Sequence, residues 1–286
     1  MSLESCKVIT FAPQNWGTME RFQHFYSTTY KFDPHTQSAV SGASNHLRKA
    51  SLVLQVAKEH AATLAEDEEQ LSRHGYTPAR RAKELAALIE SIILGVYSSV
   101  DCARQVVTYI YRKHRGVKQS TRKFFQAAAA GKVANTVPSD IRAAFKSATW
   151  YVDLRRLRDA LTHSDVGFCH LDKSEGKVTY MHAGLGSDSG ALVIPDIFDH
   201  IDTLLLQINQ FMGRVFHCLN QTLNDGEVWQ VCGMFAGRVY SRWVRPSHAV
   251  DFNSGRCDAF KWFEKEDSLK CPFMNNCAAY QRTKCK

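Results

Sequence analysis

The sequence predicts a mainly α-helical protein that ends in a small cysteine-bearing module. Three observations predict it. Apolar residues recur at helical spacing over Leu85, Leu88, Ile89, Ile92 and Val96, and again over Ile197, Ile201, Leu204, Leu205, Ile208, Phe211 and Val215. Hydrophobic residues make up 44% of a 286-residue chain, enough to bury a proper core and too many for disorder throughout. Beyond Asn224-Asp225-Gly226 the helical period gives way to aromatic, basic and cysteine residues.

Taken in order, residues 1–40 read as irregular, punctuated by Pro13, Gly17 and Pro34, with Trp16, Phe22, Phe25 and Tyr26 as packing anchors. A helix is expected from about Ser44 to Leu71, with the acidic run Glu66 to Glu69 as a solvated face. Gly75 breaks the chain, Thr77 can cap the next helix, and Pro78 suits its first position. That helix, the clearest one, runs from Ala79 to about Arg115. It is one helix or two, with Gly95 and Ser98-Ser99 as the weak points. A basic segment then leads into Phe124-Phe125 and an alanine-rich helical turn, and Gly131 to Pro138 reads as a loop. Ser139 is a good N-cap, and Asp140 suits the first turn, for a helix carrying Trp150, Leu154, Leu157 and Leu161 that stops near His163 to Gly167. Val166 to His182 reads as a β-hairpin turning at Lys173-Ser174-Glu175-Gly176, and Gly184 to Gly190 as a loop. Pro195 to about Leu223 is the closing helix. The chain thus divides into an N-terminal helical extension (1–75), a main helical domain (76–223) and the cysteine-bearing module (224–286), with no internal repeat.

The net charge of +8 and a pI near 9.0 favour an anionic partner, nucleic acid or an acidic surface. No stretch approaches the ~20 consecutive apolar residues of a membrane span. Met1 to Thr10 has no signal-peptide core. A cytoplasmic location and no membrane partner are the expectation. Nine cysteines, an odd number, fit scattered thiols in a reducing compartment better than a disulfide framework.

The chemistry concentrates in Leu154-Arg155-Arg156-Leu157-Arg158-Asp159-Ala160-Leu161-Thr162-His163. On a helix Asp159 and His163 share a face, and fraying near His163 lets the ring swing toward Arg158. Such a pair suits phosphodiester cleavage by an internal hydroxyl. Imidazole titrates near neutrality and moves a proton, while a guanidinium holds the phosphate and stabilises charge developing on it. Asp159 is placed to orient either partner. The bland reading is an Arg158 paired with a neighbouring acid, and a His163 favoured as a cation at the helix end.

Arginine, a polar residue next, and histidine four residues later, near the end of a late helix, resembles the R-x4-6-H motif of the HEPN superfamily. The resemblance covers roughly residues 80–223. It implies a HEPN-like antiparallel helical bundle and metal-free RNA cleavage, with no cofactor at the catalytic site. By that analogy His163 assists 2′-hydroxyl attack, Arg158 stabilises the phosphorane, and Asp159 positions them. It also implies a homodimer in which two motifs face each other. The setting would be toxin, CRISPR or phage defence, in which a cognate regulatory protein is a further expected partner. Other members are non-catalytic modules that bind a nucleotide, nucleic acid or a partner protein, which is the alternative function here. The hairpin is an insertion on this frame.

Two further groups complete the candidates. Arg112, Lys113, Arg115, Lys118, Arg122 and Lys123 form a basic patch able to track an RNA backbone, with Tyr109, Tyr111, Phe124 and Phe125 interleaved. Solvated basic loops and core aromatics are the plainer reading of the same residues. Cys257, Cys271, Cys277 and Cys285, spaced C-x13-C-x5-C-x7-C, could bind zinc or an iron–sulfur cluster, with Cys232 and His248 as spare ligands. A module this small gains folding energy from a metal. Unrelated thiols, or a metal-dependent regulatory protein in which this module senses or docks, are the competing readings.

Overall fold

The structure is a computed structural model that describes residues 17–113, 117–162, 166–187, 190–235, 237–247, 253–263 and 270–284. It is mainly helical, with two three-stranded antiparallel sheets. The chain divides into two compact units. One is continuous, Pro34–Val215; the other is discontinuous, Met1–Asp33 with Phe216–Lys286. The sequence reading cut the chain elsewhere, at 75/76 and 223/224.

The continuous unit is built on two long helices, α2 (Pro34–Ala61) and α4 (Arg80–Tyr111), packed along each other. α4 is a single helix in which Gly95 and Ser98-Ser99 make no break. Its stripe Leu85, Ile89, Ile92, Val96, Val100, Ala103 and Val107 is buried at 0–1% exposure. α4 is long and apolar enough to cross a membrane by length and composition, but that stripe is spent inside the bundle. Ser99 hydroxyl donates to the Ala43 carbonyl at 2.5 Å, which ties α4 to α2 at their closest residues. The expected helix 44–71 is two, α2 and α3 (Leu64–His74), separated by a turn in which Thr63 donates to the His60 carbonyl. α3 ends where expected, with Gly75 left-handed at φ 66°.

Of the acidic run on α3, Glu66 and Glu69 are solvated as expected, but Asp67 is not. Asp67 is 7% exposed, and its carboxylate accepts the Ala82 backbone N–H at 2.9 Å, at the start of α4. Glu66 pairs with Arg81, Glu68 with Lys173 and Glu69 with Arg73. Thr77 contributes a local turn, accepting the Ala79 N–H at 3.1 Å, but Asp67 reaches deeper into the first turn of α4.

α5 (Thr121–Ala129), α6 (Ser139–Ser147) and α7 (Tyr151–Leu161) follow. The expected helix from Ser139 to Leu161 is broken at Ala148–Trp150, so Ser139 starts α6 and α7 has its own beginning. An aromatic cluster holds these helices together. Phe125 stacks on Tyr151 at 3.7 Å and 7°, and Phe145 meets Phe124 at 4.7 Å and Phe211 at 4.9 Å. The hairpin is present as β1 (Phe168–Asp172) and β2 (Lys177–Ser187), but β2 runs on into the expected loop at 184–190 and an unexpected third strand, β3 (Gly190–Ile194), joins it, giving sheet order β1-β2-β3. Glu90 of α4 anchors this sheet, accepting from the Tyr180 hydroxyl at 2.8 Å and from Gly167 N–H at 2.7 Å. α8 (Ile197–Asn220) closes the unit with Ile197, Ile201, Ile208 and Val215 fully buried.

The first described helix of the discontinuous unit is α1 (Thr18–Phe25), so the stretch expected to be irregular is helical at 18–25 and again from Pro34, with irregular chain at 29–33. Phe32 stacks on both Tyr26 and Tyr30, at 5.0 and 5.3 Å, and Phe22 packs edge-on to Phe216 at 5.6 Å. Its sheet runs β4 (Val228–Phe235), β5 (Arg238–Val244) and the short β6 (Arg256–Cys257). The register of β4 against β5 slips between Val231 and Gly233, a bulge at Cys232. Gly255 is left-handed at φ 83°, and a Cβ there would lie 2.4 Å from the Trp243 carbonyl oxygen, so only glycine fits. α9 (Phe260–Phe263) and α10 (Ala278–Lys284) complete it.

Candidate functional site

α7 carries the polar site. It ends at Leu161, with the Thr162 N–H bonding the Arg158 carbonyl at 3.1 Å. His163 lies outside the described residues, one position beyond this last bond. Tyr151, Arg155 and Arg158 recur at i, i+4 and i+7, which sets them along one stripe of the helix. The stripe faces α4, where the Arg158 guanidinium lies 4.4 Å from the centroid of the Tyr97 ring. Its Nη1 donates to Asp159 Oδ1 at 2.8 Å, and Arg158 remains 39% exposed. A guanidinium held between a ring face and a carboxylate is pre-oriented, yet still open to solvent on its remaining donors. The pairing itself stabilises little at this exposure.

Beneath it, Tyr97 and Tyr151 stack with centroids 6.3 Å apart. The Tyr151 hydroxyl is buried without a hydrogen-bond partner among the described residues. Burial first, then the nearby Tyr97 hydroxyl, pushes the Tyr151 phenol far above its ordinary range, so it stays protonated and keeps its donor.

The stripe continues into a cleft of about 300 Å³ between α5, α6 and α7. Arg122, Lys146 and Arg155 stand at its rim, and Phe125 and Tyr151 wall it. Of the six basic residues expected to contact RNA, Arg122 lines this cleft. Lys118 and Lys123 are exposed near it in sequence, and Arg112 and Lys113 are exposed at the end of α4, with Arg112 over the Tyr109 ring at 3.8 Å. Arg115 lies outside the described residues. Lys146 and Arg155, from other segments, complete the basic rim, and only folding reveals them. Phe124 and Phe125 are 1% and 4% exposed, core residues rather than stacking platforms open to a base.

A buried ionic clamp fixes the turn between α4 and α5. Arg104, 8% exposed, donates to Asp101 at 2.8 Å, Thr121 Oγ1 at 2.9 Å and the Gln119 carbonyl at 2.6 Å. Burial pushes the Asp101 carboxyl upward, but hydrogen bonds from Arg104, Thr121 and Gln105 outweigh it and hold the group below its ordinary value.

In the discontinuous unit, Cys257, Cys271 and Cys277 line one cavity together with Cys232. Cys285 lies outside the described residues. Among the described residues, no three His, Cys, Asp or Glu side chains come close enough together to hold one ion. The cysteines described are all free thiols. Burial raises the Cys257 thiol to about 11 and moves Cys232 and Cys271 in the same direction, so these are protonated thiols and poor nucleophiles.

No protein-family model matches the chain, and neither a curated protein nor a solved structure matches it.

Proposed function

We propose that the chain is a metal-independent endoribonuclease of the HEPN type, with Arg158 and His163 as its catalytic pair. The observation that carries this reading is the Arg158 guanidinium, oriented by Tyr97 and Asp159 and open to solvent, five residues before His163 in the sequence. Nothing in the core requires an arginine there. The basic rim of Arg122, Lys146 and Arg155, the last on the same stripe as Arg158, supports an anionic substrate.

The residues divide the work as follows. His163 takes the proton of the 2′-hydroxyl as its oxygen bonds to phosphorus. Arg158 neutralises the charge that builds on the equatorial oxygens. The 5′-oxygen leaves with a proton, giving a 2′,3′-cyclic phosphate and a 5′-hydroxyl. One histidine per chain supplies either base or acid, so a homodimer with two motifs facing each other supplies both.

The test is cleavage of single-stranded RNA by the purified chain. Arg158→Ala and His163→Ala are each expected to lose roughly 10²–10⁴ in rate with unchanged thermal stability. Products should carry the cyclic phosphate, and RNA methylated at the 2′-oxygen should resist. Equal cutting of DNA, or full activity in His163→Ala, overturns the reading. A strict monomer at working concentration overturns the shared site.

A further inference from the structure

The cysteine cavity belongs to the discontinuous unit, whereas Arg158 and His163 belong to the continuous one. Four thiols arrive there from four separate places. Cys232 comes from the bulge in β4, Cys257 from β6, Cys271 from the loop beyond α9, and Cys277 from the position that caps α10. Local devices set each approach. The Cys257 N–H donates to Thr283 Oγ1 of α10 at 3.1 Å, while Asn253 accepts the Ala278 N–H at 3.2 Å at the start of that helix. The left-handed Gly255 turns the chain into β6.

The space between them that is open to a water-sized sphere is about 20 Å³, and its other walls include Phe235, Tyr240, Met274 and Tyr280. That wall is too apolar to hold ordered water well. A lone tetrahedral zinc needs its sulfurs drawn to a point, each about 2.3 Å from the metal. Here the thiols stand around a volume, and no three ligating groups among the described residues converge on a point. A polynuclear cluster spaces its four thiolates apart by its own size and does not require them to meet at one point.

One charge supports the same ligand. Arg242 is 2% exposed, with Nε donating to Cys232 Sγ at 2.9 Å and Nη2 directed at Cys277 Sγ at 3.7 Å. A guanidinium set against two sulfurs favours their anionic, metal-bound form and offsets the net negative charge of a cluster held by four thiolates. The surrounding core is small. Tyr240, Ala259, Cys277, Ala279 and Tyr280 are its buried members, with the remaining cavity cysteines packed at its edge. A bound group at this point would join β4, β6 and α10 and supply cohesion that so few side chains lack.

We propose that Cys232, Cys257, Cys271 and Cys277 hold an iron–sulfur cluster, with Arg242 hydrogen-bonded to its thiolate sulfurs. Four Fe–S(Cys) bonds form as four S–H protons pass to solvent, and the iron and sulfide arrive together from a cluster donor, so no cysteine is oxidised. The set differs from the sequence-derived one by Cys232 in place of Cys285.

The full chain, produced with ample iron and purified without oxygen, is the material for the test. It should be brown, contain iron and acid-labile sulfide in equal amounts, and lose its visible absorbance on dithionite treatment. Cys232→Ser should lower iron and sulfide together, while Cys102→Ser and Cys285→Ser should keep both. Zinc at one per chain without sulfide, or neither metal nor sulfide in the wild-type chain, overturns the proposal. So does full cluster content in Cys232→Ser. The wild-type sulfide measurement needs no variant, so a variant that fails to fold does not blunt the test.

Discussion

Asp67 shows how a single side chain decides where a helix begins. It stands in a run of acids that reads as a solvated face, because charge alone gives no hint of which acid turns inward. Only the return of α4 past α3 brings the Ala82 N–H to its carboxylate. Asp67→Ala should cost about 1 kcal/mol, the usual loss of a helix cap. In a unit of this size that is a fall of roughly 2–4 °C in Tm, read by circular dichroism. Glu69→Ala, which removes an exposed pair with Arg73, should stay within about ±0.5 kcal/mol. Equal losses in the two variants would mean that the cap carries no special weight. At the same scale, Arg158 and Asp159 were legible in the sequence, because spacing and chemistry sufficed to single them out. Tyr97, Lys146 and Arg155 were not, because their relation to Arg158 or to Arg122 depends on which helix faces which.

Among the elements, those that bury one continuous stripe were legible. α4 and α8 follow their apolar spacing closely, and α7 ends within a residue or two of the expected stop. The breaks were harder. No glycine or proline marks the turn between α2 and α3, or the one at Ala148–Trp150. The strands β4 and β5 mix tryptophan, cysteine and arginine with valine, so no clean two-residue alternation stands out, although the glycine at 237 is a turn signal in retrospect. One element-level device was invisible, the clamp of Arg104 on Asp101, Thr121 and Gln119 that sets α5 against the end of α4. Arg104→Met should cost about 3 kcal/mol, since it strands a partly buried carboxylate. The pH dependence has a definite sign. Asp101 is held below its ordinary value, so its contribution is complete above a pH of ~3.9 and is lost as pH falls through the lower folded value. Asp101→Asn should therefore lower Tm at neutral pH and flatten its acid decline. An unchanged acid limb would show that other carboxylates govern it.

For the molecule as a whole, a net charge of +8 makes any RNA complex depend on salt. If the cleft rim tracks the backbone, replacing Arg122, Lys146 and Arg155 together by alanine removes three phosphate contacts. The slope of log affinity against log salt for single-stranded RNA should then shrink by about 2, at about 0.7 per contact. An unchanged slope between roughly 50 and 200 mM salt would move the RNA to another face. The global cut of the chain was the least legible feature of all. Composition changes at Asn224, but the compact units divide near Asp33 and Phe216, because residues 17–33 complete their packing with segments that lie almost two hundred positions away. Tyr30 bonds Thr222, and Asn220 bonds the Thr18 carbonyl.

That interrupted unit has a consequence for how the protein is made. Ribosomes deliver a chain from its N-terminus, so the aromatic segment around Phe22, Tyr26 and Phe32 emerges before the segment it closes upon. The inserted helices from Pro34 to Val215 have all their partners once Val215 has left the exit tunnel, and they can condense while translation goes on. At roughly 5–20 residues per second, the leading segment waits many seconds, with its rings exposed, for the sheet and cysteines that come last. The interrupted unit is therefore begun before the inserted helices and completed after them, and its early rings are a natural station for a chaperone.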